Sequence, residues 1–333
     1  MAKKTQKVGL LAHMTFDKEA RDDGQISPAI EGGRIRYFFA LFSKHNGDLL
    51  LPSLLFLISA IPLFGSFIFF RLYGPERLLY AMLKITKIPY LMTNVGIGIS
   101  AGADVVSLKA DMLMVYQLLF VAIGIGVFFM SIGLSGMLRL SAKFIWKDSF
   151  ITKRDTYGNH VPRTVVEFFE GVKKCFPQML VWGAIAMIFV AGVGNAIVYF
   201  VQKLWSQTVG GGDYVLLILA CIIGVFSSIF LLYLAPFIVM YDMPFFAKVK
   251  NSAILTIQMF VPNIFILAVV AIPLIIVAIS GGFINVIFVA LLIVFGASFY
   301  SLLTTNYVQY YAEKIINPIY SAQVSKKRKK KKK

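Results

Sequence analysis

The side chains able to do chemistry fall into a few scattered groups. Eight consecutive basic residues, Lys326, Lys327, Arg328, Lys329, Lys330, Lys331, Lys332 and Lys333, close the sequence. A run of this kind attracts an anionic bilayer at about 1 kcal/mol per charge, or an RNA backbone in a salt-sensitive, sequence-independent way. Glu167, Glu170, Asp242 and His160 are the groups from which an acid and a base at a membrane interface could be drawn. Glu167 and Glu170 lie one helical turn apart beside Lys173 and Lys174. That spacing predicts a solvated ion-pair face in preference to a catalytic pair. Gln117, Asn195 and Asn263 are amides inside apolar sequence. They could bond a neighbouring helix or contact an uncharged solute.

Metal and cofactor chemistry find little support. His13, His45 and His160 are far apart, with no second His or Cys at ligand spacing. Cys175 and Cys221 are two lone thiols in unlike settings, giving neither a metal spacing nor an expected disulfide. Gly96, Gly98 and Gly102 mark a turning stretch, yet no Gly-Lys-Ser/Thr follows them as a phosphate loop requires. No catalytic residue, no cofactor and no metal site is therefore expected.

The elements that must hold these groups are set by hydropathy. The 333 residues are 58% hydrophobic, with a mean hydropathy of +0.77. Six long runs free of Asp, Glu, Lys, Arg and His, at 49–70, 112–138, 179–201, 214–240, 260–280 and 283–303, are each long enough to cross roughly 30 Å of hydrocarbon as a helix. They lack the alternating polarity of a barrel, so an all-α polytopic membrane protein with six transmembrane helices is expected. Residues 1–36 are polar, and their apolar patch at 8–11 is too short for a signal peptide, which leaves insertion to the first span.

Lys and Arg concentrate in the termini and in the loops 139–178 and 241–259, with few in 71–111 and 202–213. The positive-inside rule then puts both termini in the cytoplasm. The net charge of +17 follows from that bias together with the tail, so DNA is not an expected partner. The chain divides into a polar cytoplasmic segment (1–36), a membrane domain (37–320) and a polybasic tail (321–333). The external loop 71–111 is expected to contain an amphipathic helix near residues 77–87. In the cytoplasmic loop 139–178, Asp155, Tyr157, Gly158 and Asn159 predict a turn between two helical pieces, the first continuing span two and the second starting near Val165.

Three segments look alike: Phe38-Phe39 with Lys44, Phe168-Phe169 with Lys173 and Lys174, and Phe245-Phe246 with Lys248 and Lys250. Each precedes an odd-numbered span. The pattern predicts three units, each a short interfacial helix, rings inward and amines toward phosphate, that leads into a transmembrane hairpin. On the fourth span Ala220, Gly224 and Ser228 fall four apart and predict one face for close helix packing. Gly124, Gly126, Gly133 and Gly136 on the second span, and Gly192 with Ala196 on the third, extend that theme. Pro62, Pro236 and Pro273 predict kinks.

The stretch from Tyr233 to Asp242 (Tyr-Leu-Ala-Pro-Phe-Ile-Val-Met-Tyr-Asp), continuing as Met-Pro-Phe-Phe-Ala-Lys-Val-Lys-Asn-Ser-Ala to Ala253, resembles the YesL-type family of uncharacterised membrane proteins of Gram-positive bacteria. Phe168-Phe169-Glu-Gly-Val-Lys-Lys174 resembles the family's element before its third span, and Ile61-Pro62-Leu63 the end of its first. The resemblance covers about half the chain, mainly 40–70 and 160–320; the insertion at 72–111 and the polybasic end depart from it. It implies a bacterial plasma membrane, a six-helix bundle and an accessory connection to carbohydrate uptake, and supplies no catalytic residues.

The functional expectation is a non-enzymatic accessory or scaffold protein whose basic cytoplasmic surfaces contact anionic membrane lipids or a partner complex. The ribosome, the membrane-insertion machinery and a carbohydrate uptake system are the partners considered. The alternative is a transporter or channel for an uncharged or weakly polar solute, contacted by Gln117, Asn195 or Asn263.

Overall fold

The computed structural model describes residues 33–85, 105–146, 152–154, 160–205, 207–279 and 282–316. Seven helices carry almost all of them: α1 (Arg34–Ile85), α2 (Val105–Trp146), α3 (Thr164–Trp205), α4 (Gly211–Met240), α5 (Phe245–Gln258), α6 (Phe260–Ile279) and α7 (Gly282–Tyr311), which closes on a π-helical turn, Ala312–Ile316. Among the described residues five helices are long and apolar enough to cross a membrane, or six if α5 and the first part of α6, bent by 95°, are counted as one span. The chain is thus an all-α, multi-pass membrane protein. The described residues of each expected apolar run lie inside one helix, and Ser280, the last of the fifth, lies outside the described residues.

Helices here extend well beyond the runs that announce them, because charged residues end a hydropathy window without ending an i→i−4 ladder. α1 continues to Ile85, so the first part of the segment expected as an external loop is helical, and α2 already begins at Val105. Gly96, Gly98 and Gly102 lie outside the described residues. α2 runs eight residues past the expected end of its span, to Trp146. In the loop that follows, the expected turn residues Asp155, Tyr157, Gly158 and Asn159 lie outside the described residues. The two helical pieces expected around that turn are α2, continuing span two to Trp146, and α3, starting at Thr164; between them β1 (Thr152–Arg154) pairs antiparallel with β2 (His160–Pro162).

The interfacial-helix expectation needs correction in two respects. Phe38-Phe39 and Phe168-Phe169 sit in the first turns of α1 and α3, which run on without a break, so neither segment is a separate helix. Only the third, α5, is separate. It is also inside-out: Lys248, Asn251, Ser252 and Thr256 are buried, whereas Phe246 and Ile257 are 84% and 69% exposed. In hydrocarbon a helix gains nothing by hiding its apolar face, so its polar face turns to the protein, where hydrogen bonds can be made.

The three segments nevertheless share a pattern. The first Phe is the more buried and the second exposed, and the two rings meet edge to face at 5.1, 5.5 and 6.3 Å between centroids. Counting from the first Phe, the residues three and eleven positions on are buried in every case: Leu41 and Leu49, Gly171 and Met179, Lys248 and Thr256. One helical stripe is reused three times with different chemistry.

The helices fall into two compact units. The first takes the described parts of Met1–Ile58, Ile132–Leu180 and Ile229–Lys333. Its core is built on Ile229, Tyr233, Phe237 and Tyr241 of the α4 end, Ala142 and Trp146 of α2, Leu255 of α5 and Val308 of α7. The second takes Ser59–Ser131 and Val181–Ser228 and packs on small residues. A Cβ on Gly126 would stand 2.5 Å from Leu63 Cα, and one on Gly124 would stand 3.0 Å from the Met187 carbonyl oxygen. Val193 fits over Gly224.

Two small-residue expectations shift along their helices, by one position on α4 and by two on α3. Ala220 is buried and Gly224 partly so, but Ser228 is exposed and Ser227 takes the buried place. The drift is that of a 3.6-residue turn against a four-residue spacing. On α3, Gly192 has nothing within 4 Å of where a Cβ would be, and Gly194 makes the close approach, to Phe120. Gly126→Ala is accordingly expected to lower stability by about 1–3 kcal/mol, since backbone atoms of Leu63 must move. Gly192→Ala should leave the thermal midpoint in detergent unchanged or raise it, and equal losses for both variants would count against the packing described.

Candidate functional site

Where α2 outruns its apolar run, it carries Arg139 and Lys143 one turn apart into the protein, facing the first turns of α3. Lys143 Nζ donates to Glu167 Oε1 at 2.5 Å, Arg139 Nε to Glu167 Oε2 at 3.4 Å, and Arg139 Nη2 to Glu170 Oε2 at 3.4 Å. The Glu167 side chain is 1% exposed, those of Arg139 and Lys143 10% and 9%. The expected solvated face is therefore wrong for Glu167. Lys173 and Lys174 are exposed, and the carboxylate turns inward to α2 instead. Two cations on one helix and two carboxylates on the next balance, and Glu170, half exposed, is the member nearest solvent.

Close by in sequence on α2, Ser141 donates to Ser301 of α7 at 2.9 Å. Gly136 and Gly171 make the ion cluster sterically feasible: a Cβ on Gly171 would meet the Arg139 side chain at 2.9 Å, and one on Gly136 the Phe168 ring at 2.5 Å.

The second feature is another buried cation, Lys248 of α5. Its Nζ donates to Gln178 Oε1 at 2.7 Å and to the Ile238 carbonyl at 3.1 Å. Ile238 lies in the last turn of α4, where carbonyls lack helical donors and carry the negative end of the helix dipole. A lysine expected to reach for phosphate is thus held inside the protein by a helix C-terminus.

The third feature is Asn263. Pro262 has no N–H and its ring cannot follow the Gln258 carbonyl in a continuous helix, so α5 stops and α6 begins with the proline in its first turn. The break leaves the last carbonyls of α5 open to side-chain donors, although that of Leu255 also accepts from the Met259 N–H at 3.1 Å. Asn263 Nδ2 donates to two of them, Leu255 and Thr256, each at 3.2 Å, while its Oδ1 accepts from Tyr233 Oη at 2.6 Å and Tyr307 Oη at 2.7 Å. Two donors and two acceptor sites exhaust a carboxamide. α4, α5, α6 and α7 are joined at this one side chain, which is fully buried.

The other expected contacts do not join it. Asn195, in the second unit, donates to Ala191 of its own helix at 2.8 Å. Gln117, also in the second unit, is partly buried on α2. Nor do the acid–base candidates assemble: Glu167 and Glu170 share Arg139, Asp242 is exposed beyond the end of α4, and the side chain of His160 on β2 lies outside the described residues. Lys326, Lys327, Arg328, Lys329, Lys330, Lys331, Lys332 and Lys333 also lie outside them, as does His13. Among the described residues no group of three His, Cys, Asp or Glu could hold a metal.

Arg139, Lys143, Lys248, Tyr233 and Tyr307 are the members that hydropathy did not single out. A signal for three of them exists: Arg139 and Lys143 at i, i+4, and Lys248, Asn251, Ser252 and Thr256 as one polar stripe on an otherwise apolar helix. No family model, curated protein or solved structure matches the chain.

Proposed function

We propose that this chain is a non-enzymatic accessory or scaffold protein of a bacterial plasma membrane, with both termini cytoplasmic. Its basic cytoplasmic surfaces would contact anionic lipid or a partner complex. The observation that carries this reading is where the buried polar chemistry is spent. Glu167, Lys143, Arg139, Lys248 and Asn263 bond neighbouring helices, and the four hydrogen bonds of Asn263 leave it none to offer a solute. Such bonding fixes a platform.

The partner is proposed from what the platform would present. The resemblance of residues 233–253 to YesL-type proteins favours a carbohydrate uptake system, whereas the polybasic tail favours the ribosome or the insertion machinery. Co-purification in mild detergent, followed by identification of bound proteins and particles, separates these. The full chain is expected to retain a defined complex; a chain ending at Val324 should lose at least half of any bound ribosomes at low salt, because phosphate contacts dominate such binding. Unchanged ribosome recovery would remove the RNA version, and solute-dependent flux in liposomes with no retained partner would overturn the scaffold reading.

A further inference from the structure

Between the start of α1, the α6 segment 261–269 and the α7 segment 299–311, all within the first unit, runs a groove of about 620 Å³. Its walls are Phe38 and Phe39, Phe265 and Val269, and Phe299 and Leu303. Phe265, Val269 and Phe39 are strongly exposed. In a chain that crosses the membrane, apolar side chains open in this way face acyl chains.

The groove is not apolar throughout. At one end stands Arg34, whose Nη1 donates to Asn306 Oδ1 at 3.1 Å, whose Nη2 lies 3.5 Å from Glu313 Oε2, and whose guanidinium sits 5.3 Å from the centre of the Tyr310 ring. Lys314 Nζ lies 5.7 Å from the same ring. Among the described residues, Arg34 and Lys314 face the one carboxylate of Glu313 here, which leaves this end positive. The Arg34 side chain is only 19% exposed, and Asn306 and Glu313 engage two of its five N–H donors. An aligned guanidinium with donors to spare suits a phosphate.

We infer that this groove binds one anionic phospholipid, with an acyl chain along Phe38, Phe265 and Phe299 and the headgroup phosphate on Arg34. Charge complementarity selects this occupant: a neutral transmembrane helix of a partner would leave the positive end without a counter-charge, and free phosphate would leave the apolar walls empty. The volume lies within the range of about 300–1,000 Å³ typical of small-molecule sites. The site depends on membrane residence alone and stands whether or not a partner complex is found.

The test is native mass spectrometry of the full chain with phosphatidylglycerol and phosphatidylcholine, at high salt so that attraction to exposed lysines is screened. The wild type is expected to retain one phosphatidylglycerol with about tenfold preference, because phosphatidylcholine offers the same phosphate but brings a choline cation to the positive end. Arg34→Gln should bring the preference close to one while both lipids still bind. Val269→Trp should remove the retained lipid of either kind. Val261→Trp, at a 66% exposed lining position, does the same job if Val269→Trp fails to fold. Equal retention of the two lipids by wild type, an undiminished preference in Arg34→Gln, or undisturbed binding in a folded tryptophan variant would each overturn the proposal.

Discussion

Glu167→Gln is expected to be among the most damaging single substitutions in the chain, lowering stability by about 3–5 kcal/mol. The change keeps the volume and removes the charge. Lys143 and Arg139 would then be buried on α2 facing a neutral amide, with Glu170 the remaining carboxylate against two cations. Glu170→Gln, on a half-exposed side chain at the edge of the same cluster, should cost about 1 kcal/mol or less. The prediction separates burial from proximity, since both carboxylates touch Arg139 at the same distance.

A double-mutant cycle makes the point sharper. Lys143→Met and Glu167→Leu, each alone, should resemble Glu167→Gln, because each leaves a buried partner uncompensated. Combined as Lys143→Met with Glu167→Leu, the loss should shrink to well below the sum of the singles, since a buried pair replaced by apolar residues of similar volume is often neutral. Thermal unfolding in detergent, followed by tryptophan fluorescence, reads all of these. Strict additivity would mean that the pair contributes nothing through its mutual contact.

Hydropathy made the crossings legible and left the interior almost unreadable, for one physical reason. The runs at 49–70, 112–138 and 179–201 announce helices because lipid tolerates nothing else, but the same criterion discards Arg139 and Lys143 at the moment they become informative. Their charges close the window while the helix continues to Trp146. Lys248 misleads in the opposite sense. Beside Phe245 and Phe246 it reads as an interfacial lysine, and only the register of Asn251, Ser252 and Thr256 behind it shows that the polar stripe faces inward. Helix-face patterning in a membrane protein must be read inverted, with the polar side as core.

The small residues show a subtler limit. Ala220 and Gly224 fall on a packing face, yet the third member is Ser227 and not Ser228. A strict four-residue stripe leaves the contact line after two turns. The glycines behave likewise: Gly194 and Gly126 are contacts, Gly192 is not, and no composition rule distinguishes them before the neighbours are known.

Asn263→Leu is expected to cost about 3–4 kcal/mol and to release the bend between α5 and α6. Four groups lose a hydrogen bond at once, the hydroxyls of Tyr233 and Tyr307 and the carbonyls of Leu255 and Thr256, of which the Leu255 carbonyl keeps the Met259 N–H. An unmet buried donor or acceptor costs about 1–3 kcal/mol, reduced here because the two hydroxyls can turn toward each other. The two halves of the clamp are separable. Tyr233→Phe with Tyr307→Phe removes only the acceptor side, about 1–2 kcal/mol, and should leave the bend in place. Asn263→Asp keeps an acceptor for the tyrosines but turns an oxygen on the two carbonyls, so the bend should loosen although the size is unchanged. Spin labels at Ile257 and Phe265, both about 70% exposed and on opposite sides of the break, report the angle as a distance distribution once exposed Cys221 is replaced. Broadening in Asn263→Leu and Asn263→Asp, with a wild-type distribution in the double tyrosine variant, is the expected pattern. A narrow, unshifted distribution in all three would mean that Pro262 alone sets the 95° turn and that Asn263 merely fills space beside it.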